Sequence, residues 1–267
     1  MRVAIPVALI QMDLAFGDPE ANRQRAEALI RVAASRGARW VVLPELWTTA
    51  YDLPRLGEIA DEGDQPTGPL LSRLARELGI AIFGSVAERR PEGFFNTLRV
   101  FGPDGSLAAV YDKIHLVPML DEPRYLAPGR SPALARVDGV TVGLLICYDL
   151  RFPELSRGYA LAGAQVLVVP AQWPAVRRHH WRTLAIARAI ENQCYLLGCN
   201  RAGAGGGTRF DGGSLVVDPW GEVLAEGGPA EEILYAEIDP ARVAAVRAEV
   251  PVFRDRRPEA YRFEGLA

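Results

Sequence analysis

A chain of 267 residues with 33 acidic and 30 basic side chains, net charge -3, offers no electrostatic case for nucleic acid. Apolar residues make up 49% and charged residues 24%, the balance of a globular chain rather than a disordered or fibrous one, and no apolar run is long enough to span a membrane. The three cysteines, Cys147, Cys194 and Cys199, are odd in number and lack metal-ligand spacing, which argues against a disulfide framework and fits a reducing cytoplasm.

Residues 3–10 read as a first strand rather than a signal peptide, since Gln11 and Asp13 follow at once without a small-residue cleavage site. Asp18-Pro19-Glu20 starts a helix: Asp can cap, proline suits the first turn and glutamate favours its positive end. That helix runs to about Arg36 and stops at Gly37. Residues 40–43 form a short buried strand that ends in Pro44-Glu45-Leu46. Residues 51–64 read as a loop with one helical turn, 67–78 as a helix ended by Gly79, and 80–87 as a strand. A turn at 89–93 leads to a strand at 94–101, and Gly102-Pro103-Asp104-Gly105 sends the chain back as an antiparallel strand at 107–111. Tyr111-Asp112-Lys113-Ile114-His115-Leu116 follows. Residues 117–129 form a long irregular loop holding Glu122, and loops of that length often carry function.

The stretch 140–156 organises the chain. A run dense in β-branched residues reads as a buried strand ending on Cys147, and Pro153 opens a helix soon after. A thiol where a buried strand turns into a helix matches the way a nucleophile elbow holds its side chain under backbone N–H groups. It matches equally a small buried core residue. Residues 165–170 form another strand, running into Ala171-Gln172-Trp173-Pro174. An amphipathic helix at 176–193 places Trp181, Leu184, Ala185 and Ala189 on one face, with Arg188 and Glu191 spaced for a structural ion pair. Strands follow at 194–200, 214–218, 222–225 and 232–238, with a flexible loop at 203–207; Asp239-Pro240 opens a last helix to about Val250. Hairpins among the strand–helix alternation predict mixed sheets, two of them packed face to face beneath outer helices. No repeat or linker divides the chain, so one domain is expected over 1–267, its tail from about 251 to 267 lying on the surface or at a subunit interface.

Taken singly, Glu45, Lys113 and Glu122 each read as a solvated charge. Taken together, Glu45, Lys113 and Cys147 each follow a predicted strand, and strand ends converge on the rim where α/β sheets bind ligands. A thiolate attacks a carbonyl or nitrile carbon, a carboxylate moves the protons, and an ammonium with a backbone N–H holds the oxyanion.

At these residues the chain resembles the nitrilase, or carbon–nitrogen hydrolase, superfamily. Three motifs carry the resemblance, in the family's order: Leu43-Pro44-Glu45-Leu46, Tyr111-Asp112-Lys113-Ile114-His115-Leu116 and Ile146-Cys147-Tyr148-Asp149-Leu150-Arg151-Phe152-Pro153-Glu154. It extends through Ala187-Arg188-Ala189-Ile190-Glu191-Asn192-Gln193 and Val217-Asp218-Pro219-Trp220-Gly221. The resemblance implies an α/β (α+β) fold, a four-layer α-β-β-α sandwich with two mixed β-sheets. It implies Glu45, Lys113 and Cys147 as catalytic residues, Glu122 as a supporting second glutamate, and the N–H of Tyr148 as an oxyanion donor. The expected partner is a small amide substrate, with no metal or organic cofactor, no nucleic acid and no membrane, in a homodimer or higher homo-oligomer. Within the superfamily the chain looks most like the ω-amidases, through Leu120-Asp121-Glu122-Pro123-Arg124-Tyr125-Leu126, Trp173-Pro174 and His180-Trp181. These cleave the terminal amide of α-keto acids such as 2-oxoglutaramate. Arg151, Trp173 and Tyr51 are candidates for substrate binding, with an ion pair holding the elbow as the other reading of Arg151.

Competing readings are a papain-like Cys–His enzyme, for which His115, His179 and His180 are the available imidazoles, and a silent binding protein on the same fold. Deaminated-glutathione amidase and N-carbamoyl amine amidohydrolase are the nearest alternatives among enzymes.

Overall fold

Alternation along the first strands decides which way each residue faces. Val7 and Leu9, Trp40 and Val42, Ala81 and Phe83 point into one buried cluster, while Ala8, Ile10, Val41, Leu43 and Ile82 point into another. A strand with both faces apolar is covered on both sides. The computed structural model describes residues 4–261; Val3 of the expected first strand and positions 262–267 of the tail lie outside the described residues.

In chain order the first elements are β1 (Ile5–Gln11), α1 (Pro19–Ser35), β2 (Trp40–Val42), α2 (Leu56–Ile59), β3 (Asp61–Glu62), α3 (Thr67–Leu78), β4 (Ala81–Arg90), β5 (Gly93–Phe101) and β6 (Leu107–Asp112). Next come α4 (Glu122–Tyr125), β7 (Leu134–Val137), β8 (Val140–Leu144), α5 (Pro153–Leu161), β9 (Val166–Ala171), α6 (Arg178–Asn192) and β10 (Tyr195–Asn200). The chain continues with β11 (Ala202–Gly205), β12 (Thr208–Asp211), β13 (Leu215–Val217), β14 (Val223–Glu226), β15 (Glu232–Ile238) and α7 (Pro240–Glu249). The first sheet runs β15-β1-β2-β4-β5-β6, with β3 paired to β4; the second runs β14-β13-β10-β9-β8-β7. Both are mixed: β1, β2 and β4 pair parallel, as do β8, β9 and β10, while the flanking strands pair antiparallel.

Helices α1 and α3 pack Ala26, Ile30, Leu71 and Leu74 on the outer face of the first sheet. Tyr159 of α5 and Trp181, Ala185 and Ala189 of α6 pack on the second. The layers are therefore helix, sheet, sheet, helix, as expected. Local signals read in the sequence operate as capping chemistry: Asp18 Oδ1 accepts from Ala21 N at 3.0 Å, worth about 1 kcal/mol, and Gly79 takes the left-handed conformation that ends α3.

Four expectations need correction. Residues 203–207 are not a flexible loop but the turn and flank of the β11–β12 hairpin, with Gly206 and Gly207 at positive φ and the buried Arg201 guanidinium donating to the carbonyls of Leu14 and Ala202. Strand β7 went unread because Leu134-Ala135-Arg136-Val137 is short and carries a charge; it needs β8 beside it to exist. Strand β3 is only two residues and pairs with the end of β4. Within the expected irregular loop at 117–129, residues Pro118–Leu120 and α4 form two helical turns.

Candidate active site

The parallel order of β2 and β8 in facing sheets brings the chain just beyond each strand to one place. Glu45 follows β2, and its main chain is tied to the opposite sheet: Gln172 Nε2 donates to the Glu45 carbonyl at 2.7 Å and Gln172 N to its Oε2 at 2.9 Å. Lys113 follows β6, its N–H bonded to the Asn96 carbonyl at 2.9 Å. Glu122 opens α4 and turns inward, its Oε2 accepting from Val117 N at 2.6 Å. Neither Lys113 nor Glu122 is solvated, as each looked when read alone: both are 0% exposed, as is Glu45.

Lys113 Nζ donates to Glu45 Oε1 and Glu122 Oε1, each at 2.7 Å, and to the Tyr51 hydroxyl at 3.3 Å, so its three donors are all engaged. The Tyr51 hydroxyl lies between Glu45 Oε1, at 2.9 Å, and Glu122 Oε1. Burial alone would lower the Lys113 pKa; the carboxylates of Glu122 and Glu45 outweigh it and hold the ammonium above its usual range. Burial pushes the Glu122 carboxyl up, with Lys113 opposing and Glu45 reinforcing. Burial raises the Tyr51 phenol too, helped by the same two carboxylates.

Cys147 stands on a bend. Its φ of 46° is left-handed, a conformation that costs a non-glycine residue roughly 1–3 kcal/mol. The neighbouring Asp149 offsets that cost. Its Oδ2 accepts from Ile146 N at 2.9 Å and from the Tyr111 hydroxyl at 2.7 Å, and its Oδ1 accepts from His115 N at 3.0 Å. His115 Nδ1 lies 2.8 Å from the same oxygen, and the His115 ring stacks on Phe152 at 3.6 Å. One buried carboxylate thus locks the elbow to the segment that carries Lys113. Arg188 supports the elbow from α6, donating to the Leu150 carbonyl at 3.0 Å and pairing with Glu191 at 2.9 Å, the structural role its spacing suggested.

The thiol is buried, and burial pushes its pKa well above the ordinary value; Glu45 adds to the rise and Lys113 opposes it. The sulfur therefore rests as a thiol under the influence of both an acid and an ammonium. Above it lies a pocket with about 20 Å³ of free volume, walled by Val117, Met119, Leu120, Trp173, Arg151 and Arg177. His115 is engaged with Asp149, and none of His115, His179 and His180 lines that pocket, which argues against the Cys–His reading. Arg151 makes no ion pair with the elbow: its guanidinium lies over the Trp173 ring at 4.5 Å and the Tyr148 ring at 5.8 Å, and faces His180 Nδ1 at 3.4 Å.

Two residues of this cluster were not singled out in the sequence. Asn96 Nδ2 donates to Glu45 Oε1 at 2.8 Å, and its Oδ1 accepts from Ser85 Oγ at 2.5 Å. Gln172, the second, is itself held by Arg201 Nη1 at 2.9 Å. A polar residue inside an apolar strand, such as Asn96 after Phe94-Phe95, is the one signal that pointed to the first.

The carbon-nitrogen hydrolase family model matches residues 6–248. A 2-oxoglutaramate amidase of Bacillus subtilis is 44% identical over 96% of this chain and 98% of that protein, and an omega-amidase of Homo sapiens is 38% identical over 97% of each. A CN-hydrolase superfamily protein from Xanthomonas campestris, crystallised with an arsenic adduct in its active site, superposes with a TM-score of 0.90 at 32% identity, covering 96% of this chain and 98% of that one. The chain belongs to the carbon–nitrogen hydrolase family.

Proposed function

We propose that the protein is an ω-amidase, hydrolysing the terminal carboxamide of a short α-keto acid such as 2-oxoglutaramate to the carboxylate and ammonia through a thioester on Cys147. The observation that carries this reading is the buried Lys113–Glu45–Glu122 cluster beside a thiol on a left-handed elbow. The similarity to amidases that act on such keto-acid amides supports the substrate class.

The roles follow from valence. Because the thiol rests protonated, attack and deprotonation go together: the sulfur bonds to the amide carbon as its proton passes to Glu45. Glu45 Oε1 is crowded by Lys113, Asn96 and Tyr51, whereas Oε2 has only the Gln172 N–H, so Oε2 is the oxygen with capacity for that proton. The amide oxygen takes the negative charge, held by the Tyr148 N–H and by Lys113, whose weakest bond, to Tyr51, is the one exchanged. Glu45 returns the proton to nitrogen, the C–N bond breaks and ammonia leaves the thioester. Water then attacks the thioester, giving a proton to Glu45; the C–S bond breaks and the thiol is restored. Glu122 holds Lys113 in place without trading protons. Arg151, on its Trp173 platform, anchors the substrate carboxylate.

We further propose that residues 1–267 act as one domain, in the cytoplasm, as a homodimer or higher homo-oligomer; scattering that returns a monomer mass at micromolar concentration would overturn the last point. The activity test is ammonia release from 2-oxoglutaramate, deaminated glutathione, N-carbamoyl amines and simple nitriles, with Cys147→Ala as the blank. Turnover confined to carbamoyl compounds or nitriles sinks the ω-amidase reading.

A further inference from the structure

The arginines around the mouth of the site fall into two groups. Arg178 and Arg182 both face Glu226, at 3.8 Å and 2.9 Å, and Arg209 pairs with Asp211 at 2.8 Å. These charges are spent on neighbours. Arg151 and Arg177 line the pocket above Cys147, and among the described residues neither guanidinium has a carboxylate partner. Both are half-buried. A cation that is partly desolvated without a partner is held at a cost, and an anionic ligand relieves it.

The two are built into one platform. The indole of Trp173 lies under the Arg151 guanidinium at 4.5 Å, while its Nε1–H donates to the Arg177 carbonyl at 2.9 Å. That bond pins the turn Ala175–Arg177 against the pocket wall just before α6 begins. Arg177 also borders a wider, open groove of about 520 Å³, shared with Leu120, Pro174 and Thr208 of the β11–β12 hairpin. The inner pocket is otherwise apolar on this side, through Val117, Met119 and Leu120.

We propose that Arg177 is a specificity-determining residue that, with Arg151, grips the carboxylate of an anionic acyl group, so that the enzyme selects amides of short acids over neutral amides of the same length. The inference rests on the amidase reading above and extends it to a residue whose guanidinium has no hydrogen-bond or carboxylate partner among the described residues. Arg151 over the Trp173 ring and Arg177 on the wall of the same pocket offer a planar carboxylate two cationic partners. The neutral amide terminus is left for the sulfur.

The test compares Arg177→Gln and Arg177→Lys with the parent protein on 2-oxoglutaramate and on butyramide, a neutral amide of similar reach. The expected result for Arg177→Gln is a roughly ten- to hundredfold lower ratio of kcat/KM on 2-oxoglutaramate to that on butyramide, carried by KM for the keto acid amide. Arg177→Lys recovers part of the loss, since charge remains without the planar fork. A second arm needs no turnover: calorimetric binding of 2-oxoglutarate to the Cys147→Ala protein, with and without Arg177→Gln, and melting curves to show that each variant is folded. Weakened binding on adding Arg177→Gln supports the assignment. An unchanged ratio between the two amides, an unchanged Kd, or no 2-oxoglutarate binding by Cys147→Ala overturns it. If the parent protein releases ammonia from neither amide, the amidase reading fails while the binding arm still decides the role of Arg177.

Discussion

Cys147 and Cys199 make an instructive pair. Both are buried, and in both burial is the main cause that lifts the thiol pKa. Cys199 lies within β10, on a regular strand, and its Sγ reaches the carbonyls of Val42 at 3.2 Å and Ile10 at 3.4 Å in the facing sheet. It is a small core residue with a weak donor satisfied by backbone. Cys147 is bent out of its strand by a left-handed φ and set among an acid and an ammonium. Depth and pKa direction do not tell the two apart. What separates them is backbone conformation and charged company, so in the proposed mechanism Cys147 gains its reactivity from a base placed beside it rather than from standing ionisation.

The comparison can be broken most directly by deleting each thiol. Cys147→Ala is expected to abolish ammonia release, while Cys199→Ala keeps turnover near that of the parent; equal losses would show that Cys147 is also only packing. Next in size is Glu45→Gln, which keeps the shape and removes the proton acceptor. We expect a loss of about a hundred- to ten-thousandfold in kcat with folding intact by circular dichroism. Retention of activity would return proton transfer to some other group. Asn96→Ala sharpens the picture, because Glu45 keeps its bonds to Lys113 and Gln172. Losing one hydrogen bond to a charged oxygen predicts a fall of roughly ten- to hundredfold in kcat, with KM little changed. No change would mean that Asn96 does not orient the carboxylate.

The smallest effect concerns stability. Cys199→Ala is expected to cost about 1–2 kcal/mol at pH 7, read from denaturant midpoints. That cost depends on pH in a set direction. The folded thiol has a raised pKa, so the folded state keeps its proton where the unfolded state releases it, and the stabilisation is present below the unfolded value and lost as pH rises. From about pH 9 upward the gap between parent and Cys199→Ala is expected to narrow by about 1.4 kcal/mol per pH unit. A gap that widens with pH would contradict the burial of this thiol.

The legibility of the molecule followed the range of the interactions involved. Helices α1, α3 and α7 were readable because their signals are local: Asp18 and Asp239 cap within three residues, and Gly79 ends α3 through its own φ. Strands β5, β6 and β15 were readable from apolar runs and the turn between the first two. The hairpin β11–β12 was not, because its glycine-rich strands lack an apolar alternation, and the adjacent Arg201 side chain is held by Leu14 and Gln172, partners far away in the sequence. Glu122 illustrates the same limit. Alone in a loop it looks solvated, and its burial depends on Lys113 and Val117 N, which the fold brings to it.

From the order of residues alone came the family motifs, the alternation that makes two-faced strands, and the three side chains placed just past strand ends. These depend on chemistry within a few residues, or on patterns the chain repeats along itself. Only the packed sheets decided that Glu45, Lys113 and Glu122 form one fully buried cluster, that Asp149 ties the elbow to the lysine segment, and that Arg151 and Arg177 share an indole. A charge in a low-dielectric interior is tolerable only with partners at hydrogen-bonding distance, and partners 68 positions apart, such as Glu45 and Lys113, are found by folding.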